Sequence, residues 1–302
     1  MSGSDRASYL QGLLTNDIVA LKAGQGCYAA YLTAQGRMIA DLYVYEIGDL
    51  ILLTMAARVK DTVLAKLDQF IFSEDVQLGD VTGSFAQIGI VGPEAADVVA
   101  RLVAGTSLEA LTALPEHGNV RASAIVTRVT DAGASGFDVY VERAQAPAFM
   151  AAAAAAGVVR LDDETAEALR IESGIPRFGL DLDEQTIPLE AGIEGRAISF
   201  TKGCYVGQEI IIRVMHRGHG RVARRLVGFV LSGDQAPASG AVVRAADREV
   251  GHVTSGTWSP LLSRPIALGY IHHDFVEPGT SVTVAGTAAE VVALPFTRGK
   301  IR

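Results

Sequence analysis

After Arg225 the chain is cut into strand-length runs by turn signals at Ser232-Gly233-Asp234, Ala246-Asp247-Arg248 and Glu277-Pro278-Gly279. Runs this short, bounded by Gly, Asp and Pro, are strands rather than helices, and together they predict a small, barrel-like all-β domain. Before Arg225 the pattern is different. Leu10, Leu13, Leu14 and Ile18 have helical spacing over 8–18, whereas Tyr28 to Leu32, Met38 to Glu46 and Leu50 to Met55 are short and rich in β-branched and aromatic residues. The turn pairs Gln35-Gly36 and Gly48-Asp49 separate those runs, which predicts antiparallel hairpins. Helical spacing returns over 61–72 through Val63, Leu64, Leu67 and Phe70. Strands and helices thus mix without a steady βαβ rhythm, and the fold class predicted is α+β.

A second unit opens with a predicted strand, Phe85 to Val91, closing on Gly92-Pro93, and a helix from Glu94 to Val103. Ser123 to Val129 and Gly136 to Glu142 read as paired strands around Thr130 to Ser135, and the alanine block at 151–156 favours helix by propensity alone. A helix over Asp162 to Ile171 runs into Glu172-Ser173-Gly174-Ile175-Pro176, where helix-breaking residues collect, and the chain to Arg225 reads as an ordered, functional loop region. The expected division is a region 1–225, with subdomains 1–84 plus 162–225 and 85–161, followed by a barrel domain 226–302.

The chain has 302 residues, 49% of them hydrophobic and 20% charged, which describes a folded globule large enough for more than one core. A net charge of −8 argues against a general nucleic-acid binder. Met1 to Leu10 carry no basic segment followed by an apolar one, and the most apolar stretch, Ala146 to Val159, is shorter than the about 20 residues that span a bilayer. A cytoplasmic protein without membrane contact is expected. No G-x-S-x-G elbow, P-loop or Rossmann glycine triplet occurs, so hydrolase, NTPase and dinucleotide readings lack their starting motifs.

The densest chemistry lies in Lys202-Gly203-Cys204-Tyr205-Val206-Gly207-Gln208-Glu209. Glycines on both sides of one thiol predict a tight turn that exposes Cys204, and Lys202, with Arg213 further on, would favour its thiolate. The two cysteines are far apart and neither lies in a C-x-x-C pair, so neither a disulfide framework nor zinc is indicated. Arg213, Arg217, Arg221, Arg224 and Arg225, with His216 and His219, form a basic cluster on an acidic chain. No aromatic residues interleave with them as a single-strand nucleic-acid platform needs, and the flanking arginines oppose a metal at His216 and His219. His272-His273 reads as a turn pair.

The octapeptide resembles the signature of the YgfZ family, folate-binding proteins that support iron-sulfur cluster synthesis and repair and are related in fold to the glycine cleavage T-protein. The similarity extends to Tyr9-Leu10-Gln11-Gly12-Leu13-Leu14-Thr15-Asn16-Asp17-Ile18, Gly36-Arg37-Met38-Ile39-Ala40-Asp41-Leu42, Gly251-His252-Val253-Thr254-Ser255-Gly256, Ser259-Pro260 and Leu294-Pro295-Phe296. In the resembling families a helix and the beginning of the first strand precede the equivalent of Gly3-Ser4-Asp5-Arg6, so Met1 is expected to fall inside that strand.

The resemblance implies tetrahydrofolate as ligand, with a polyglutamate tail that the basic cluster would attract. It implies that Glu172, in Arg170-Ile171-Glu172-Ser173-Gly174, binds the pterin ring, whose amino group and ring N–H one carboxylate can accept together. Asp41 matches the second of two adjacent aspartates in the T-protein strand motif, Ala40 standing at the first, and is a candidate catalytic carboxylate alongside Cys204. Lys202, Tyr205, Arg213 and Arg217 are expected to line the folate site. Glu190 is expected to order the site by meeting Arg196 or Lys202.

The leading expectation is a tetrahydrofolate-binding accessory protein for iron-sulfur cluster assembly or repair, with client or assembly proteins as partners. Some relatives are linked to tRNA modification, but direct nucleic-acid binding is not expected. The alternative is an aminomethyltransferase or other folate-dependent one-carbon transferase, supported by Glu172, Asp41 and the barrel motif and opposed by Ala40 and the octapeptide.

Overall fold

The computed structural model describes residues 1–130, 135–216 and 221–296. It divides into two compact units, the first built from Met1–Leu32, Ile39–Leu161 and Arg196–Val206, the second from Thr33–Met38, Asp162–Gly195 and the described residues from Gly207 onward.

The first unit holds two antiparallel sheets. Helix α1 (Arg6–Leu13) precedes strands β1 (Gln25–Leu32), β2 (Met38–Glu46) and β3 (Ile51–Thr54), which pair in the order β1-β2-β3. The helix stops before the predicted end near Asn16-Asp17 because Leu14 turns into extended backbone, its N–H still bonded to the Leu10 carbonyl. Helix α2 (Lys60–Asp68) follows, burying Val63 and Leu67. The second sheet combines β4 (Phe85–Val91), β5 (Asn119–Arg121), β6 (Ile125–Val129) and β7 (Gly136–Glu142) in the order β4-β7-β6-β5, with α3 (Ala95–Leu102) and α4 (Leu108–Ala113) between β4 and β5 and α5 (Ala146–Ala155) after β7. Val98 and Val99 of α3 and Leu111 of α4 pack on Val126, Phe137 and Val139, giving this sheet its core. Buried Asn119 ties the two sheets, its side-chain amide donating to the Gln25 carbonyl at 2.9 Å.

In the second unit, α6 (Asp163–Glu172) begins where the Asp162 side chain caps the Thr165 N–H at 2.8 Å. The segment that the sequence marks as loop then contains α7 (Pro188–Ala191), α8 (Glu194–Ala197) and α9 (Gln208–His216). Strands β8 (Arg224–Leu231), β9 (Val242–Ala245), β10 (Arg248–Ser259), β11 (Arg264–His272), β12 (Ser281–Val284) and β13 (Thr287–Val292) close into a six-stranded barrel in the order β10-β11-β8-β13-β12-β9. Closure removes the sheet edges, so each strand's backbone is paired on both sides. Phe229, Val243, Val253, Ile271, Val284 and Val291 fill the interior. Ile171 of α6 packs on the other face of the barrel wall, against Leu226, Val230, Ile266 and Leu268, a burial worth about 2 kcal/mol. Two glycines of the 251–256 motif are required by crowding. A side chain on Gly251 would meet the Tyr270 carbonyl, and one on Gly256 the Pro237 carbonyl. Among the described residues no helix is long and apolar enough to cross a membrane.

Candidate active site

The first unit presents a carboxylate on an aromatic face. Along β2 the side chains alternate, Met38, Ala40, Leu42 and Val44 buried and Ile39, Asp41 and Tyr43 half-buried. Position 40, where the T-protein motif carries an aspartate, therefore points into the core, and the carboxylate this chain keeps is the one on the accessible face. Tyr28 of β1 donates its hydroxyl hydrogen to Asp41 Oδ2 at 2.8 Å. The Tyr28 ring lies 5.1 Å from that of Tyr43, and the Arg196 guanidinium stacks over Tyr28 at 5.0 Å. His117 approaches Tyr43 at 5.3 Å. The Asn16 amide bonds the carbonyls of Tyr28 at 2.8 Å and Arg196 at 3.1 Å, holding this wall in place.

The octapeptide is arranged differently from its local reading. Lys202 is buried, and its ammonium donates at 2.7 Å to each of three carbonyls, those of Gln11, Leu14 and Asn16. All three N–H groups are thereby used, so Lys202 clamps the last turn of α1 and the chain just after it and has no donor left for a ligand or for Glu190. Its burial pulls its pKa down to about 8. The ammonium lies 5.2 Å over the ring of Tyr205, which is also buried and whose phenol is pushed up to about 12 by desolvation. Val206 N–H donates to the Gly12 carbonyl at 3.1 Å and Ser199 N–H to that of Thr15 at 3.1 Å, completing the seam. Cys204 is left exposed at the turn, whereas desolvation pushes half-buried Cys27 up to about 12. Arg213 pairs with Glu209 at 2.7 Å one turn back on α9. Arg217 and His219 lie outside the described residues.

In the second unit, Glu172 ends α6. Its Oε1 accepts the Ser259 hydroxyl at 2.5 Å and the Leu261 N–H at 3.0 Å. Nearby, buried Arg170 donates to Asp181 at 2.7 Å, to the Ser255 hydroxyl at 2.9 Å and to Glu167 at 2.5 Å. Asp181 in turn accepts from Thr254 at 2.5 Å and Ser255 at 2.7 Å, which ties α6 and the 177–182 loop to β10. Glu190 pairs with Arg224 at 3.2 Å, and this is the ion pair it makes in place of the expected Arg196 or Lys202. Arg224 also stacks over Tyr270 at 4.5 Å, so the basic cluster is partly spent on structure. His272, His273 and Asp274 gather on a turn with ligand atoms within 4.8 Å, each histidine already beside the Asp274 carboxylate.

From sequence, Tyr28, Arg170 and Ser259 have no role at the site, whereas Gly179-Leu180-Asp181 resembles the family's loop before the cysteine motif. The strand-like run Tyr28 to Leu32 and the Ser259-Pro260 motif are the signals that touch two of them.

Comparison with known proteins bears on this arrangement directly. Residues 1–202 match the GCVT N-terminal domain and residues 224–297 the glycine cleavage T-protein C-terminal barrel domain. The chain belongs to the glycine cleavage T-protein family. Among curated T-protein relatives, an aminomethyltransferase of Rubrobacter xylanophilus is 34% identical over 99% of this chain and 80% of its own length. One from Streptomyces coelicolor is 32% identical over 98% of this chain and 82% of its own. The fold resembles the crystal structure of glycine cleavage system aminomethyltransferase T from Bartonella henselae, with a TM-score of 0.87 at 23% identity over 98% of this chain and 82% of that one. These matches support the T-protein side of the sequence resemblance and carry nothing specific to YgfZ.

Proposed function

We propose that this chain is a folate-dependent one-carbon transferase of the aminomethyltransferase type, which reverses the order of the two functions expected from sequence. The observation that carries the reading is Asp41, a half-buried carboxylate on the accessible face of β2 held by the Tyr28 hydroxyl at 2.8 Å. Tetrahydrofolate is the substrate that supplies the amine nitrogens receiving the one-carbon unit. The residues present fit it on two counts. Glu172 keeps Oε2 without a partner among the described residues, available to a pterin N–H. Asp41 is half-buried and oriented by the Tyr28 hydroxyl, as suits a group that takes or returns an amine proton. In this reading Asp41 is the catalytic carboxylate and Glu172 the recognition carboxylate. Arg213, free to leave a surface ion pair of little strength, supports attraction of a glutamate tail.

The test is formation of 5,10-methylene-tetrahydrofolate from an aminomethyl donor by the purified chain, with Asp41→Asn beside wild type. Turnover that depends on Asp41 establishes the reading, and absence of turnover in wild type removes it.

The iron-sulfur accessory role is kept as a second reading by one observation, the exposed Cys204 within a Lys-Gly-Cys-Tyr-x-Gly-Gln-Glu turn. It requires that loss of the gene lower the activity of cluster-dependent enzymes and that Cys204→Ala fail to restore it. Full restoration by that variant would sink it.

A further inference from the structure

We propose that Ser259 is a positioning residue for Glu172, fixing one carboxylate oxygen so that recognition of the pterin runs through the other. The proposal rests on the folate reading above.

Ser259 is fully buried at the end of β10, where the chain turns through Pro260 to Ser263 before β11. Every N–H in that turn is committed. Pro260 has none, Leu261 donates to Glu172 Oε1 at 3.0 Å, Leu262 to the Ser259 hydroxyl oxygen at 3.0 Å, and Ser263 to the Ser259 carbonyl at 2.8 Å. Because the Ser259 oxygen accepts from Leu262, its single hydrogen is directed to Glu172 Oε1, at 2.5 Å.

Glu172 needs this support. It stands at the C-terminal end of α6, where the helix dipole disfavours negative charge. Two donors on Oε1 compensate that cost and fill the acceptor sites of that oxygen. Oε2 has no partner among the described residues. The carboxylate therefore offers a ligand one oxygen in a fixed direction, rather than the symmetric pair that the sequence alone allows. A ligand N–H is recognised at Oε2, and the geometry of that contact is set by Ser259.

The test is tetrahydrofolate binding measured by calorimetry under anaerobic conditions for wild type, Ser259→Ala, Ser259→Thr, Glu172→Ala and the Ser259→Ala/Glu172→Ala double variant, with thermal unfolding recorded for each. A hydrogen bond to a charged group has a strength that converts to about tenfold or more in affinity. Ser259→Ala is expected to weaken binding by about that factor. Ser259→Thr, which keeps the hydroxyl, is expected to restore it. In the Glu172→Ala background the serine change is expected to have no further effect, a non-additivity that a purely structural role would not produce. Wild-type affinity in Ser259→Ala, or equal losses with and without Glu172, overturns the positioning role while leaving the folate reading intact. Absence of binding in wild type overturns both.

Discussion

Tyr28 and Asp41 face each other across adjacent strands, hydroxyl to carboxylate at 2.8 Å, and the tyrosine is buried while the aspartate is half-buried. The rigid partner thus aims the carboxylate. Replacing Tyr28 by Phe removes a hydrogen bond to a charged group, worth about 1.5–3 kcal/mol. The expected result is a roughly tenfold or greater fall in kcat for methylene transfer with KM for folate little changed. Asp41→Asn is expected to cost about a hundredfold or more, the scale of a lost general acid–base group. Steady-state kinetics on both variants check this.

Lys202 anchors unit 1 through three carbonyls, so its replacement by Met takes this partner from one buried and two part-buried acceptors. The expected loss is about 2–3 kcal/mol, because the stranded Leu14 carbonyl carries a full desolvation cost and the other two a partial one. Arg is not expected to substitute, since a flat guanidinium cannot converge on three acceptors as an ammonium does. Urea unfolding of Lys202→Met and Lys202→Arg measures both, and a midpoint unchanged in either contradicts the clamp.

Acid should weaken the tie between α6 and the barrel. The hydrogen bond from Arg170 holds the Glu167 carboxyl below its usual value of 4.5. A folded pKa below the unfolded one means that the unfolded chain binds the proton more readily. Glu167 then stabilises fully above 4.5, and that contribution disappears as pH falls through the folded value. Thermal unfolding from pH 7 downward is expected to show a Tm decline below about pH 4.5 that is shallower in Glu167→Gln.

The two thiols should behave differently toward a colorimetric disulfide reagent. Cys204 is exposed, whereas half-buried Cys27 has its thiol pushed up to about 12 by desolvation. One fast equivalent, lost in Cys204→Ala, is expected in the native protein, with the second released on denaturation. Two fast equivalents would contradict the burial of Cys27.

Local pattern made much of this fold readable. Strands β4 and β7 match their sequence bounds, Phe85–Val91 and Gly136–Glu142, because each is a β-rich run with turn residues at its ends. Helix α9 escaped because Ile210, Ile211 and Ile212 have low helix propensity. It is held by buried Ile211 and by the Glu209–Arg213 pair one turn apart. The site was legible as residue types and not as roles. A lysine beside glycine reads as an exposed cation, and only carbonyls 186 to 191 positions earlier make it a buried clamp. Glu172 was visible at a helix end, whereas the hydroxyl that orients it lies 87 positions on. Contacts at such separations leave no trace in a local window.

The seam that Lys202 closes also has a consequence for biosynthesis. Unit 1 is discontinuous, and its last piece, Arg196–Val206, is made only after Asp162–Gly195 has been committed to the other unit. A nascent chain emerging from the ribosome therefore holds α1 and its carbonyls without their ammonium until two thirds of the polypeptide has been translated. Vectorial synthesis leaves this unit waiting, with the surface that its last piece covers exposed in that interval.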